Sequence, residues 1–208
     1  MGPSGSGKST LLAWLSGALD PAFRARGRLL LDGQDVSLLP PARRRIGLLF
    51  QDDLLFPHLS VAENLAFGLP ADVRGRAART ARIAAALEEA DLAGFGARDP
   101  ATLSGGQRAR VALLRTLLAE PRALLLDEPF GKLDVALRER MRGFVFDRVR
   151  RLSVPVLLVT HDPADASAAG GCVLELMQGK LVRAGATPVE GGEGSEGPRP
   201  AGENAPSA

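Results

Sequence analysis

A chain of 208 residues has room for one domain, or for one domain with a modest insertion, and is long enough to bury a core without a disulfide or metal staple. Its lone Cys172 excludes an internal disulfide scaffold, and no apolar run approaches the ~20 residues that a membrane-spanning helix needs. The formal charge of +2, the absence of Tyr and the 4% aromatic content speak against a base-stacking nucleic-acid surface, and the opening residues lack the basic flank and apolar stretch of a secretion signal, so a cytoplasmic protein is expected.

The chain opens on Gly2-Pro3-Ser4-Gly5-Ser6-Gly7-Lys8-Ser9-Thr10, which fits G-x-x-x-x-G-K-S/T and runs into a helical pattern through Leu11, Leu12 and Leu15. Glycines let such a backbone curl so that successive N–H groups and a helix N-terminus face phosphate oxygens. Lys8 is then a point charge for the β- and γ-phosphates, and Ser9 offers its hydroxyl to Mg²⁺. Trp14, on the same helix, reads as core.

Residues 46–50 (Ile-Gly-Leu-Leu-Phe) form the first continuous apolar run, ending at Gln51. From 52 to 103 no strand pattern appears. A helix N-terminus is signalled by Ser60 and Glu63, and an Ala- and Arg-rich stretch follows from 72 to 92, so the region reads as a helical insertion. Its Arg74, Arg76, Arg79 and Arg82 read as a solvated helix face, with a binding patch as the alternative. His58 reads as a partly exposed residue of the insertion or its docking surface.

Leu103-Ser104-Gly105-Gly106-Gln107 precedes the periodic Val111, Leu114, Leu117 and Leu118, which makes a second glycine-bearing helix N-terminus and a second anion site. The strand pattern at 123–126 then delivers Asp127 and Glu128, adjacent acids that are costly at a buried strand end unless a metal or proton neutralises them. Between 135 and 152, Leu137, Met141, Phe144, Val145, Val149 and Leu152 fall on one stripe of a helix. The apolar run at 155–159 ends in Thr160, His161 and Asp162; His161 alone could be a strand-end residue, and its place after a third polar-ended strand favours a function. Residues 187–208 are rich in Gly, Glu and Pro and read as a disordered tail.

Alternating strand and helix patterns predict an α/β fold with a mostly parallel sheet. The three continuous apolar runs are expected to be central strands covered on both faces, and their polar carboxyl ends to mark one site. The expected organisation is a nucleotide-binding domain over 1–186, with the helical subdomain at about 52–103 inserted, and the tail at 187–208.

At the pentapeptide 103–107 the chain resembles the ATP-binding cassette (ABC) family, whose signature it is. The resemblance runs from Gly2 to about 185 in the family's order. Gln51 looks like the Q-loop, Gly131-Lys132-Leu133-Asp134 like the D-loop and His161 like the switch histidine. Residues 52–65 (Asp-Asp-Leu-Leu-Phe-Pro-His-Leu-Ser-Val-Ala-Glu-Asn-Leu) are similar to the matching stretch of bacterial importer ATPases of the spermidine, iron, molybdate and thiamine type.

The resemblance implies a RecA-like phosphate-loop (P-loop) NTPase and a head-to-tail homodimer with two ATP molecules in the interface. Each ATP would be held by residues 2–10 of one subunit and by Ser104, Gly105, Gly106, Gln107 and Asp134 of the other. Ser9, Gln51 and Asp127 would serve Mg²⁺, Glu128 would polarise the attacking water, and His161 would position it and the γ-phosphate. Gln51 would also join the site to the helical insertion, which docks on a membrane permease served indirectly by a solute-binding protein. The protein would then lie on the cytoplasmic face of the cell membrane, with no nucleic acid as partner.

Two departures from the family pattern stand out. Only Met1 precedes Gly2, so the family's N-terminal antiparallel sheet, its adenine-stacking aromatic and its first strand are missing from this sequence. The coding sequence is therefore expected to continue upstream in frame, and the chain as written to be marginally stable. Gly131 stands where many relatives carry Ser. The rival readings are a non-transport cassette ATPase, for which the usual coiled coil, zinc motif or second cassette is lacking, and an inactive truncated fragment. The transported solute leaves no mark on this sequence.

Overall fold

Three consecutive leucines, Leu124, Leu125 and Leu126, leave strand β4 (Ala123–Asp127) no polar face to turn to water, so it must be covered on both sides. All three are buried, and the two-residue strand period sends them to opposite cores. Leu124 and Leu126 join the large cluster with Val111, Leu114 and Met141, whereas Leu125 packs with Leu12 and Val159. The computed structural model describes residues 1, 5–50, 52–177 and 179–183. Gly2, Pro3, Ser4, Gln51 and the stretch from 184 onward, with the expected tail, lie outside the described residues.

Strand β4 is flanked by β3 (Ile46–Leu49) and β5 (Val156–Val159), both parallel to it, in the order β3-β4-β5. Because the three strands run the same way, their polar-ended carboxyl termini share one edge. The expectation that all three would be central is corrected in one respect. Among the described residues only β4 has a strand on each side, and β3 and β5, with one neighbour each, are correspondingly less buried.

Helix α1 (Lys8–Ser16) covers one face of this sheet through Leu12. On the other face lie α5 (Gly105–Leu118) and α6 (Val135–Leu152), the latter burying Leu137, Met141, Val145 and Phe146. Phe146 falls outside the stripe read from the sequence and packs edge-on to Phe130. Between 52 and 103 the described residues form no strand. They form α3 (Val61–Gly68), α4 (Arg76–Glu89) and one 3₁₀ turn at Pro100–Thr102. The Ser60–Glu63 capping box is present, with the Glu63 N–H donating to the Ser60 hydroxyl and the Ser60 N–H to the Glu63 carboxylate.

Asn64, fully buried on α3, ties down the preceding loop. Its Nδ2 donates to the carbonyls of Phe56, Leu59 and Ser60 at 3.0–3.1 Å, and its Oδ1 accepts from the Phe56 N–H. Helix α3 then lies so close on α5 that a β-carbon at Gly68 would collide with the Arg115 carbonyl. Of the arginine cluster, Arg79 donates to the Ala66 carbonyl and Arg82 pairs with Glu120, while Arg74 and Arg76 stay exposed. Half of the cluster is thus engaged within the chain.

Two short antiparallel pairs escaped the periodicity reading: β1 (Leu30–Leu31) with β2 (Gln34–Asp35), and β6 (Leu174–Met177) with β7 (Lys180–Arg183). Met1 sits alongside β6, its amino group donating to the Leu174 carbonyl and its carbonyl accepting from the Leu176 N–H at 2.8 Å. An apolar cavity of about 420 Å³ lies between β5 and β6, lined by Leu11, Val156, Leu158, Leu174 and Leu176.

The carboxyl end of α1 is held by a residue from the next helix, α2 (Pro41–Arg44). Buried Arg44 donates through Nη1 to the Trp14 and Leu15 carbonyls at 2.7 and 2.8 Å, through Nε to Leu39 and through Nη2 to Ser37. A guanidinium there satisfies helix-end carbonyls and opposes the negative end of the helix dipole. Arg44→Ala is expected to destabilise the fold by about 2–4 kcal/mol, because four part-buried carbonyls lose a charged donor together. Arg44→Lys, without the planar fork, should fall between the two in urea-melting experiments.

Candidate nucleotide site

Helix α1 begins without a side-chain cap. Its N-cap Gly7 lies at φ +95 and Gly5 at φ +77, in the left-handed region that glycine enters without strain. The first-turn N–H groups therefore face outward for an anion, with the positive end of the helix dipole behind them. The Lys8 Nζ lies 3.5 Å from the Ser6 hydroxyl, across the mouth of this turn, and Thr10 is exposed on the first turn of α1.

The parallel sheet brings β4 up beside that helix start. The Ser9 hydroxyl donates to Asp127 Oδ2 at 3.1 Å, joining residues 118 positions apart. Burial pushes the Asp127 carboxyl above its ordinary range; the neighbouring Glu128 carboxylate adds to this, while the Ser9 hydrogen bond and Lys8 oppose it. Desolvation dominates, as the sequence reading of costly adjacent acids anticipates.

Glu128 departs from strand geometry, with φ +47 in the left-handed region, a conformation that costs a non-glycine residue about 1 kcal/mol or more. Its own amide is fixed by donating to the Val159 carbonyl at 2.9 Å, and its carbonyl accepts from the Gly131 N–H. The turned carboxylate meets His161, with Oε1 3.0 Å from Nδ1. A carboxylate oxygen accepts, so the tautomer with its proton on Nδ1 is the one that makes this contact a hydrogen bond.

The loop bearing His161 is pinned on both flanks. Thr160 is buried and its hydroxyl donates to Asp165 Oδ2, while Arg142 Nε lies 3.0 Å from Asp165 Oδ1. Asp162 accepts from the Ala164 N–H at the start of α7 (Pro163–Ala169) and from Arg138 at 2.9 Å. The Ala164 amide and then Arg138 hold its carboxyl below the usual range. His161 itself remains largely exposed, beside a polar cavity of about 150 Å³ bounded by Glu128, Lys132, Arg138 and Thr160. The larger apolar cavity near β6 shares Lys8 but none of Asp127, Glu128 and His161.

The other predicted residues form a second group. Ser104 caps α5, its hydroxyl accepting from the Gln107 N–H at 3.2 Å, and the Gln107 side-chain oxygen accepts from the Ser104 N–H at 2.9 Å. A β-carbon at Gly106 would lie 3.5 Å from Leu133 and 3.6 Å from the Lys132 carbonyl, so the helix start, from Gly105 on, rests on the turn after Glu128. Asp134, expected at a nucleotide, gives its carboxylate to the Leu137 N–H as the N-cap of α6. A β-carbon at Gly131 would make only ordinary contact with Glu128, so the turn has room for the serine of many relatives.

The fold thus assembles Lys8, Ser9, Asp127, Glu128 and His161 at one sheet edge and Ser104, Gly105, Gly106, Gln107 and Asp134 beside the 131–134 turn. Gly2, Pro3, Ser4 and Gln51 fall outside the described residues. Arg138 is a charged neighbour that sequence reading gave no site role, its only signal being charge next to a motif, while Lys132 and Asp53 stood inside the D-loop-like and importer-like stretches without a role of their own. A glycine-entered helix start, a lysine, and a hydroxyl on a strand-end carboxylate define an α/β phosphate-loop nucleotide-binding protein.

Comparison with known proteins carries this further. Residues 1–131 match the family model described as ABC transporter. The chain is 58% identical over 171 residues to the uncharacterized ABC transporter ATP-binding protein YnjD of Escherichia coli K12, covering 80% of this chain and 78% of that protein. It is 49% identical over 166 residues to the thiamine import ATP-binding protein ThiQ of Cereibacter sphaeroides, covering 80% and 71%. Among solved structures, the dimeric post-hydrolysis state of the ATP-binding cassette MJ0796 bound to ADP and Pi superposes with a TM-score of 0.76 at 32% identity, covering 88% of this chain and 82% of that one. The chain spans about half the length of the sulfate/thiosulfate and iron import ATP-binding proteins it also matches, 54% and 53%. It belongs to the ABC transporter family, as an ATP-binding subunit.

Because burial raises the Asp127 carboxyl, the folded protein holds that proton more firmly than the unfolded chain. This contribution to stability is full below the ordinary aspartate value of 3.8 and is lost as the pH rises through the higher folded-state value. Asp127→Asn keeps an acceptor for Ser9 and cannot ionise. In metal- and nucleotide-free buffer it should melt above the parent at pH about 7, with the advantage vanishing below pH about 4. Thermal melts across that range would contradict the account if the parent were the more stable at neutral pH.

Proposed function

We propose that this subunit hydrolyses MgATP and couples the reaction to a membrane permease of a bacterial importer. The observation that carries the reading is the pairing of two contacts at one strand end, Ser9 with Asp127 and Glu128 with His161. The first-turn amides of α1 and Lys8 would bind and orient the β- and γ-phosphates. Ser9 and Asp127 supply two hard oxygen ligands, the donor set of a Mg²⁺ ion that keeps waters and takes substrate phosphate oxygens as its other ligands. Bound there, Mg²⁺ would neutralise charge on the transferring phosphoryl group. Glu128 Oε2, left outside the His161 contact, would accept a proton from the attacking water, and His161 would orient that water and the γ-phosphate.

The Ser104 group lies against the 131–134 turn, so its outward-facing helix start would serve the nucleotide of a second subunit in a head-to-tail homodimer. Support comes from the dimeric state of the structural relative. The import names of the sequence relatives support the direction of transport, with a permease and a solute-binding protein as partners. Among the described residues no helix is long and apolar enough to cross a membrane. A peripheral place on the cytoplasmic face, reached through the 52–103 helical subdomain and Gln51, follows from this reading.

Lys8→Ala should abolish nucleotide-dependent dimerisation, measured by light scattering with and without MgATP. Glu128→Gln should keep ATP binding and lose about 10²–10⁴-fold in turnover, since the amide keeps the shape but cannot accept a proton. Near-parent turnover in Glu128→Gln would move the base elsewhere. Ser104→Arg should leave nucleotide binding by the separate subunit intact and block turnover by at least about 10²-fold, because it removes a donor to the partner's nucleotide. Loss of binding in the monomer would instead place Ser104 at its own subunit's site.

A further inference from the structure

Asp53 lies in the loop that leaves β3 and enters the helical stretch. Its side chain is only 12% exposed, uncommon for an aspartate unless cations accompany it. Two do, from segments far apart in sequence. Arg108 Nε, in the first turn of α5, is 3.3 Å from Asp53 Oδ2, and Lys132 Nζ, in the turn after Glu128, is 3.8 Å from Oδ1.

Both cations are anchored where the site is built. Arg108 Nη1 also donates to the Leu103 carbonyl at 2.7 Å, which ties the guanidinium to the start of α5. The Lys132 carbonyl abuts Gly106. A small gap bounded by Phe50, Asp53, Ala109, Glu128 and Lys132 puts the cluster directly beside the Glu128 turn. Lys132 reaches Asp52 as well, at 3.6 Å, but that carboxylate is 85% exposed and an ion pair in such solvent contributes little. The enclosed carboxylate is the one that cannot give up its partners cheaply.

We propose that Asp53 is a positioning residue, an ionic latch that holds the α5 start and the 131–134 turn in register with the strand end carrying Asp127 and Glu128. Movement of the 52–60 loop is thereby transmitted to both segments at once, through one carboxylate. The effect on turnover rests on the ATPase reading above; the latch itself does not.

The test uses the full chain with Asp53→Asn, Lys132→Met and the double variant. In nucleotide-free protein, amide hydrogen exchange should quicken by about tenfold at both 104–108 and 131–134 in Asp53→Asn and at 131–134 in Lys132→Met, with α4 and the β6–β7 pair unaffected. The double variant should be no worse than Asp53→Asn, since the lysine contact is among those that Asp53→Asn already removes. Lys132→Met, at a partly exposed lysine, keeps the test open if Asp53→Asn folds poorly, and Lys132→Arg should restore parent exchange. In ATPase assays kcat should fall by about three- to tenfold with KM for MgATP changed less than about twofold, the pattern of a lost transition-state alignment. Unchanged exchange in either segment of Asp53→Asn, unchanged exchange at 131–134 in Lys132→Met, or additive losses in the double variant overturns the latch. Faster exchange with parent kcat overturns its role in turnover. Faster exchange in a protein whose parent form hydrolyses no ATP supports the latch and overturns the ATPase reading instead.

Discussion

The contact between Ser9 and Asp127 is the constraint on which the rest of the site depends, and it is a product of burial. Covering Leu124, Leu125 and Leu126 from both sides fixes β4 in the interior, and the strand then ends with Asp127 half desolvated at the sheet edge. A carboxylate in that position needs a donor and a counter-charge. The first turn of α1 provides a hydroxyl at 3.1 Å and a lysine nearby, and it can do so because α1 is pressed onto the same sheet by Leu12. The apolar core and the polar site are thus two ends of one strand.

Around that contact the chain accepts local strain and restrains it. Glu128 occupies the left-handed region, and the Val159 carbonyl and the Gly131 amide bracket it so that the turn cannot relax. His161 is exposed, yet the residues on each side of it are held by Asp165, Arg142 and Arg138.

The second group, at the start of α5, is organised by different means. Ser104 and Gln107 satisfy each other, Gly106 lets the helix approach the 131–134 turn, and Asp53 joins both to the loop after β3. Farther along α5, the close approach of Gly68 to Arg115 and the hydrogen bonds of Asn64, which accepts from Arg115 and holds the preceding loop, connect the helix to α3 and the 56–60 loop. The helical stretch and the sheet share one apolar cluster, in which Val61, Leu65 and Leu87 meet Leu124 and Leu126. A push on α3 therefore reaches α5 through packed atoms rather than across a linker.

The sequence by itself determined the α/β class, the strand character of the apolar runs at 46–50, 123–126 and 155–159, a helix entered at the phosphate loop, another after the 103–107 pentapeptide and a third at 135–152, and the polar residues at the strand ends. Those signals are local: continuous apolar runs, a helical stripe, glycines and caps at fixed offsets. Only the tertiary structure decided what depends on distant partners. That includes which strand, among the described residues, has neighbours on both sides, the burial of Arg44 against the end of α1, and the left-handed turn of Glu128 towards His161. Asp53 and Lys132 stand inside motif-like stretches, yet nothing there or at Arg108 signals their pairing, which spans up to 79 positions, from Asp53 to Lys132, and is set by how α5 and the turn after Glu128 pack, a choice made by the shared core rather than by any short stretch of sequence.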